Sequence, residues 1–349
     1  MKKYRVLIVT SDGLVPPDNS KDLSDEVKGS SSWKMEYDVM VAIEELGHEV
    51  AIIGVFDDLG LLRRTIEEFK PDIVFNLVHE FHGVGVYDHH IAAYLELLRQ
   101  PYTGCNPRGL MLSRDKILAK KLMQYHRIQT PRFLAYRLNK PFRKPTKLSY
   151  PMVVKSSVED ASLGVSQASV VHNEDKLRER VAFVHEQVQS DAVVEEYIEG
   201  RELYLGVLGN VRLNTFPPWE IVFPDLPESS MPIATNRAKW NRKYRLEHKI
   251  HSRAAYKLPE AVEKQIPAFA KKIYRTLFLT GYARLDCRLR SDGTLFCLEA
   301  NANCDLSLDD EFALSGDKAG ISYPELVQKI ISLGLQYKPA WKRAEALSS

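Results

Sequence analysis

In the stretch LRSDGTLFCLEANANCD, residues 289 to 305, a carboxylate and a carboxamide, Glu299 and Asn301, stand two residues apart. Residues at that spacing on a strand point to the same side. Just upstream, ARLDCRL puts Arg284, Asp286 and Arg288 on one side and Ala283, Leu285, Cys287 and Leu289 on the other. Ser291, Asp292 and Gly293 between the two runs predict a hairpin. With Arg290 facing Leu295 across a four-residue loop, Asp286 falls opposite Glu299. That register gathers Asp286, Glu299 and Asn301 on one face and leaves Phe296, Leu298 and Ala300 on the other. Three oxygen donors on a sheet face suit a hard divalent cation such as magnesium. An ordinary solvated hairpin face is the alternative, and for this stretch alone it is the better reading.

Other segments bear on that choice. Lys155 ends the apolar run PMVVK before a small polar loop, SSVEDASLGV. A lysine there, with Ser156, Ser157 and Ser162 and the loop amides, can hold phosphate oxygens; a lysine snorkelling off an edge is the alternative. In VVEEYIEGRE an apolar strand enters Glu195, Glu196, Tyr197 and Ile198, turns at Gly200 and returns with Glu202. A strand that becomes a hinge offers backbone groups to an adenine, and Glu202 can take ribose hydroxyls. The cluster VHEFHGVGVYDHH contains His79, His82, His89 and His90. Two histidines three apart share a face only on a helix, and the glycines argue against a helix, so zinc is set aside.

The elements that must position these groups follow from pattern. YRVLIVT (4 to 10), HEVAIIGV (48 to 55) and DIVFNLV (72 to 78) are apolar runs of buried-strand length, with helical patterns between them. This predicts a βαβαβ unit with a parallel sheet. Residues 11 to 32 are too long and polar for an ordinary connection and read as a functional or mobile loop. SRDKILAKKLMQYH predicts a basic amphipathic helix with Ser113 as its cap. Further helices are expected from about 175 to 189, near 259 to 278 and over AGISYPELVQKIISLGL, with a loose polar tail after Gln336.

A chain of 349 residues suggests two or three domains. Its net charge of +2 gives no global pull towards nucleic acid or membrane. No apolar run approaches a membrane span, and MKKYRVLIVTSDG reads as a first strand rather than a signal peptide. The four cysteines show no metal-ligand spacing. In the register above, Cys287 and Cys297 point to opposite faces, which argues against a disulfide between them. A reducing cytosol is the expected setting.

Taken in order, Lys116 in SRDK, Lys155 in VVKSS, VVEEYIEGRE, Arg284 and Asp286 in GYARLD, and LEANAN resemble the ATP-grasp ligases. PYTG at 101 to 104 and AGISYPELVQKII bring the resemblance closest to the D-alanine–D-alanine ligase group. It covers about residues 70 to 335. It implies an α/β, three-domain ATP-grasp fold: a Rossmann-like parallel-sheet domain at 1–111, a central domain at 112–198, a C-terminal ATP-grasp domain at 199–335 and a tail at 336–349.

The resemblance also implies roles. Lys116 and Lys155 would bind ATP phosphates with Ser162 in the loop, Glu195 to Ile198 would contact adenine and Glu202 the ribose. Asp286, Glu299 and Asn301 would hold two magnesium ions, for which manganese can substitute. Arg284 would stabilise an acyl phosphate and the tetrahedral intermediate. Lys239, in the basic stretch NRAKWNRKYR, would be the lid residue reaching the γ-phosphate, and His82 would stand beside the first substrate. The basic stretch reads alternatively as a nucleic-acid patch, but its place between two family motifs favours the lid. The implied partners are a small-molecule carboxylate and an amine, without nucleic acid or membrane; a homodimer is compatible.

The pattern departs from the family where substrates sit. The phosphate loop has Asp160 and Ala161 where a glycine and small residues are usual. After Asn301 the chain reads NANCDLSLDD in place of a proline–glycine–methionine turn, with Asp310 at the position of a substrate-facing serine. Asp305 and Asp310 are therefore assigned to the acceptor, which should carry a positive group or lack a nearby carboxylate. Asp309 serves equally well as a cap for the next helix. Residues 11 to 25 show no clear match to the glutamate loop of that group. The expectation is an ATP- and magnesium-dependent ligase whose substrates are not two D-alanines. A D-alanine–D-alanine ligase is one rival, and a non-catalytic ATP-binding regulator or scaffold is another.

Overall fold

The computed structural model describes residues 2–159, 165–228, 230–342 and 344. Among them the strands form three sheets. The first is parallel, with Arg5–Ser11 in the centre flanked by Glu49–Val55 and Ile73–Asn76. Val6, Ile8, Ile73 and Phe75 bury one face against Val39, Ala42 and Ile43 of the helix Lys34–Glu45. Ile330 and Ile331 of the helix Tyr323–Gln336 join the same core, so this late helix packs on the first strands. Each such side chain contributes on the order of 2 kcal/mol when fully buried. The connection from 11 to 32 has structure of its own: the helix Asp25–Ser30, capped by Ser24, and a Lys21–Glu44 ion pair of 2.7 Å back to the neighbouring helix.

The helix expected to start from Ser113 is two helices. Pro107–Arg114 ends where Asp115 begins to cap Lys116–Tyr125, its side chain accepting from the Leu118 amide at 2.9 Å. Ser113 instead donates to the Leu110 carbonyl within the first helix. An aspartate in extended backbone outcompetes the upstream serine because its carboxylate faces the free amides of the new turn. The expected division after residue 111 falls within the helix Pro107–Arg114.

The second sheet is antiparallel, ordered Phe133–Tyr136, Ala192–Glu196, Met152–Ser156, Val170–Val171. Met152, Val154 and Val194 pack on Leu177 and Val181 of the helix Glu174–Phe183, which runs into a wider turn over Val184–Val188. The third sheet runs His251–Ala254, Trp219–Val222, Arg201–Leu208, Tyr282–Leu289, Leu295–Asn301, with the short strand Asn214–Thr215 also on Arg201–Leu208. Its inner face, including Leu205, Leu285 and Cys287, packs on Ile266, Ala270 and Ile273 of the helix Glu260–Thr276. The tail is less loose than expected at its start: Tyr337 stands edge-on to Tyr102 at 5.9 Å, and its hydroxyl donates to Glu96 at 3.3 Å.

The hairpin forms, and Asp286 does pair with Glu299. The rest of the register differs. Leu289, not Arg290, faces Leu295, and Cys287 faces Cys297, because a bulge between Asp286 and Cys287 absorbs one residue. Two expectations fall with it. Cys287 and Cys297 share the core face, both as free thiols, instead of pointing apart. Phe296, Leu298 and Ala300 are also split: Ala300 is in the core, Leu298 lines a cleft, and Phe296 pairs with Arg288 on the polar face.

Glu36 is the outlier of the helix Lys34–Glu45. It is 1% exposed, and one carboxylate oxygen accepts from the Thr10 hydroxyl at 2.7 Å. Burial, with Asp305 adding, pushes its carboxyl up to about 7. Its folded pKa lies above its unfolded one, so the protonated form favours folding. That contribution is complete below the ordinary value and is lost as pH rises through about 7. Glu36→Gln should therefore be increasingly more stable than the unmodified protein between about pH 4.5 and 7, by roughly 3 kcal/mol at the plateau. Urea melts across that range check it; a pH-independent difference would contradict it.

Candidate functional site

Between the second and third sheets lies an open cleft. The strand Met152–Ser156 brings Lys155 to it, Ala192–Glu196 brings Glu195, and Arg201–Leu208 brings Glu202. Strand alternation places Asp286 and Arg288 on its floor, and Glu299 and Leu298 stand beside them at the bulge. The hinge needs Gly200: at φ 141°, any Cβ would lie 2.1 Å from the Leu289 carbonyl oxygen. Ile233 closes the cleft from above by packing on Val153 and Val170.

The charges converge. Lys116 opens its helix with its ammonium 3.6 Å from Glu299, and it also donates to the Glu159 carbonyl. Lys155 stands 3.8 Å from Glu195. Lys239, on the short helix Asn236–Trp240, reaches within 3.7 Å of Asp286. Arg284 donates to Asp286 at 2.9 Å and lies 3.3 Å from Glu311 and 3.6 Å from Asp310. Burial opposes ionisation of Glu299, but Lys116, Lys155, Lys239 and Arg284 outweigh it and draw its carboxyl down to about 2. At Asp286 burial wins over Arg284 and Lys239, and the carboxyl moves up. Burial also works against the charge of Arg284, but Asp286, Glu311 and Asp310 keep the guanidinium protonated.

Four cations around two carboxylates suit a polyanion that arrives with a metal. Asp286 and Glu299 are cross-strand partners, and Asn301 pairs with Arg284 on the same hairpin. These oxygens could hold a hard cation. Among the described residues no three histidine, cysteine, aspartate and glutamate side chains are arranged to hold a metal alone. A metal here would take further donors from the ligand, as magnesium does from phosphate.

Several expected residues sit elsewhere. Ser162 lies outside the described residues. Glu196 lines the cleft with Glu195, while its carboxylate accepts from Arg132, at 2.8 Å from its amide and 3.0 Å from its Nε. Tyr197 and Ile198 line the cleft. His82 is exposed, holds a left-handed conformation at φ 56° and stacks on Phe56 at 5.5 Å. It does not line the cleft. Asp305 closes a turn by accepting from the amide and hydroxyl of Ser307 at 2.7 and 2.6 Å. The helix Glu311–Lys318 is capped by Asp310 rather than Asp309, which pairs with Lys34 at 2.6 Å.

Sequence reasoning missed three residues. Lys120 is fully buried, 3.1 Å from Glu195 and donating to the Leu298 carbonyl at 2.8 Å; its spacing of four from Lys116 on a helix was the available signal. Arg288 was placed on the right face but given no role, although it lines the cleft and donates to Glu202 at 2.9 Å. Glu311 grips Arg284 and accepts from Ser252 at 2.7 Å, which no local pattern announces.

The family described as D-ala D-ala ligase C-terminus matches residues 122–332. The chain is 32% identical over 303 residues to the uncharacterized protein y4sG of Sinorhizobium fredii, covering 84% of this chain and 85% of that one. It is 27% identical over 294 residues to the D-alanine–D-alanine ligase of Pelotomaculum thermopropionicum, covering 81% and 87%. The fold matches the D-alanine–D-alanine ligase of Bacillus anthracis complexed with ATP at a TM-score of 0.74 and 20% identity, covering 98% and 99%. No helix among the described residues is long and apolar enough to cross a membrane. The match over 122–332 and the 32% identity to a relative spanned almost whole make the chain a member of the family of the D-ala D-ala ligase C-terminus, an ATP-grasp ligase close to the D-alanine–D-alanine ligases.

Proposed function

We propose that the cleft binds ATP with magnesium and that the chain joins a carboxylate to an amine through an acyl phosphate. The observation that carries this reading is the convergence of Lys116, Lys239 and Arg284 on the Asp286–Glu299 pair, with Lys155, paired to Glu195, adding its charge to the field on Glu299. A substrate carboxylate oxygen attacks the γ-phosphorus, the bond to the bridging oxygen breaks, and ADP leaves. The amine then attacks the acyl carbon and loses a proton, and phosphate departs with the oxygen it received. Lys116 and Lys155 offset phosphate charge, Glu202 holds the ribose, and the segment 195–198 faces the adenine. Asp286, Glu299 and Asn301 would hold magnesium, two ions by resemblance, which neutralises the phosphates when bound. Arg284 faces the charge that develops on the acyl group. Lys239 and Ile233 lie on the segment that would shut out water, which otherwise destroys an acyl phosphate.

For the acceptor we propose an amine that carries a second positive group or lacks a carboxylate close by. Asp310 and Glu311 support this, since both crowd the guanidinium of Arg284, and Asp305 adds its charge beside Asp310. A second reading, joining two D-alanines, is favoured by the names of the relatives and by Asp310 itself. Burial with Glu311 and Asp305 pushes its carboxyl well above the usual range, towards a neutral form that does not repel an anion. The first reading predicts little D-alanyl-D-alanine from D-alanine and ATP. It also predicts a gain for anionic acceptors in Asp310→Ser, which keeps a helix cap. Product analysis by mass spectrometry checks both, and efficient D-alanine dimer formation by the unmodified protein would decide for the second reading.

A further inference from the structure

We propose that Arg288 is a positioning residue for the nucleotide, fixing Glu202 so that its carboxylate selects for ribose hydroxyls. The inference rests on the proposed ATP site and adds to it a side chain that site does not otherwise use. Arg288 is 3% exposed on the strand Tyr282–Leu289. Its guanidinium makes three donations to two segments: to the Gly200 carbonyl of the hinge at 3.0 Å, to Glu202 Oε2 just after it at 2.9 Å, and to the Pro232 carbonyl of the covering segment. Pro232 precedes Ile233, which packs on Val153 and Val170 over the cleft. One fork of N–H groups thus ties the hinge, the ribose carboxylate and the covering segment together.

Glu202 needs such a partner. It is 6% exposed, and among the described residues its other oxygen accepts only from the Tyr204 hydroxyl, at 3.4 Å. A buried carboxylate is costly unless it is hydrogen-bonded. Paired through Oε2 alone, it keeps Oε1 for a ligand hydroxyl while its orientation is set by the rigid guanidinium plane. Lysine offers a single compact charge, which can meet Glu202 but cannot hold all three acceptors. Hinge and covering segment would then lose their common tie.

The test is titration calorimetry of the full chain with magnesium ADP and with magnesium 2′,3′-dideoxy-ADP, needing no knowledge of the carboxylate or amine. The unmodified protein should prefer ADP by about tenfold or more, the size of a hydrogen bond to a charged group. Arg288→Met should bring that ratio to about twofold, with Glu202→Gln giving a similar loss and the double variant no further loss. Arg288→Lys should fall between. A merely structural arginine would lower the melting temperature and weaken both nucleotides equally, leaving the ratio unchanged; that result overturns the inference. If Arg288→Met does not fold, Arg288→Lys carries the same comparison, and an unchanged ratio there overturns it as well. Failure of the unmodified protein to bind magnesium ADP would overturn the nucleotide site itself. Binding with an unaltered ratio in the variants removes only the role of Arg288.

Discussion

Replacing Glu299 with glutamine is expected to abolish ADP formation, because the proposed magnesium site would lose one of its two carboxylates. The reason is charge, not shape. Glu299 is the group on which Lys116, Lys155, Lys239 and Arg284 act together, and their attraction draws its carboxyl to about 2 despite burial. A glutamine keeps the volume and forfeits the anion. The same pKa makes a second, independent statement. A carboxyl depressed in the folded state stabilises the fold above its ordinary value, and that contribution is lost as pH falls towards about 2. At neutral pH it amounts to roughly 3 kcal/mol. Glu299→Gln should therefore fold but melt lower than the unmodified protein, and the gap should narrow as pH drops below about 4.5. Wild-type ADP release by this variant, with any accepted substrate pair, would sink the assignment of Glu299.

Lys155→Ala is expected to remove most of the thermal stabilisation that magnesium ATP confers. At a nucleotide concentration a hundred times its Kd, binding adds about 2.7 kcal/mol, enough to move a melting temperature by several degrees. Lys155 stands between Glu195 and Glu299, and its charge is held by both against the cost of burial. Its loss leaves Glu195 paired with Lys120, so the apo fold should persist. Differential scanning fluorimetry with ATP, GTP and no nucleotide separates the cases. Equal stabilisation by GTP would show that the segment 195–198 does not read adenine. Full stabilisation of Lys155→Ala by ATP would remove Lys155 from the phosphate site.

Strand alternation made the polar face of the hairpin legible, because the period of two depends only on the chain. It put Arg284, Asp286 and Arg288 together and paired Asp286 with Glu299. It failed one residue later, at the bulge beside Cys287, where an extra residue changes the side of Phe296 and Cys297. Nothing in LFCLEAN announces a bulge, since its cause is tertiary: the Cys297 amide bonds the Gln129 carbonyl of a different segment at 2.9 Å. The lysines of the cleft were legible by motif order. Lys120 and Glu311 were not, because each matters only through a partner brought from far along the chain, Glu195 in one case and Arg284 in the other. Asp310 shows the limit of reading charge from letters. As a formal anion it would repel a carboxylate, yet burial against Glu311 moves it towards neutrality. His82 was placed by position in a family pattern and is found stacked on Phe56, outside the cleft.

The most direct test of the central claim follows an oxygen atom. Carboxylates labelled with ¹⁸O, beginning with D-alanine, are supplied with ATP, magnesium and a panel of amines, and the released phosphate is weighed by mass spectrometry for every combination that yields ADP. Transfer through an acyl phosphate predicts one labelled oxygen in each phosphate and an amide in equal amount to ADP. ADP release with unlabelled phosphate, the signature of attack by water on ATP, would contradict it.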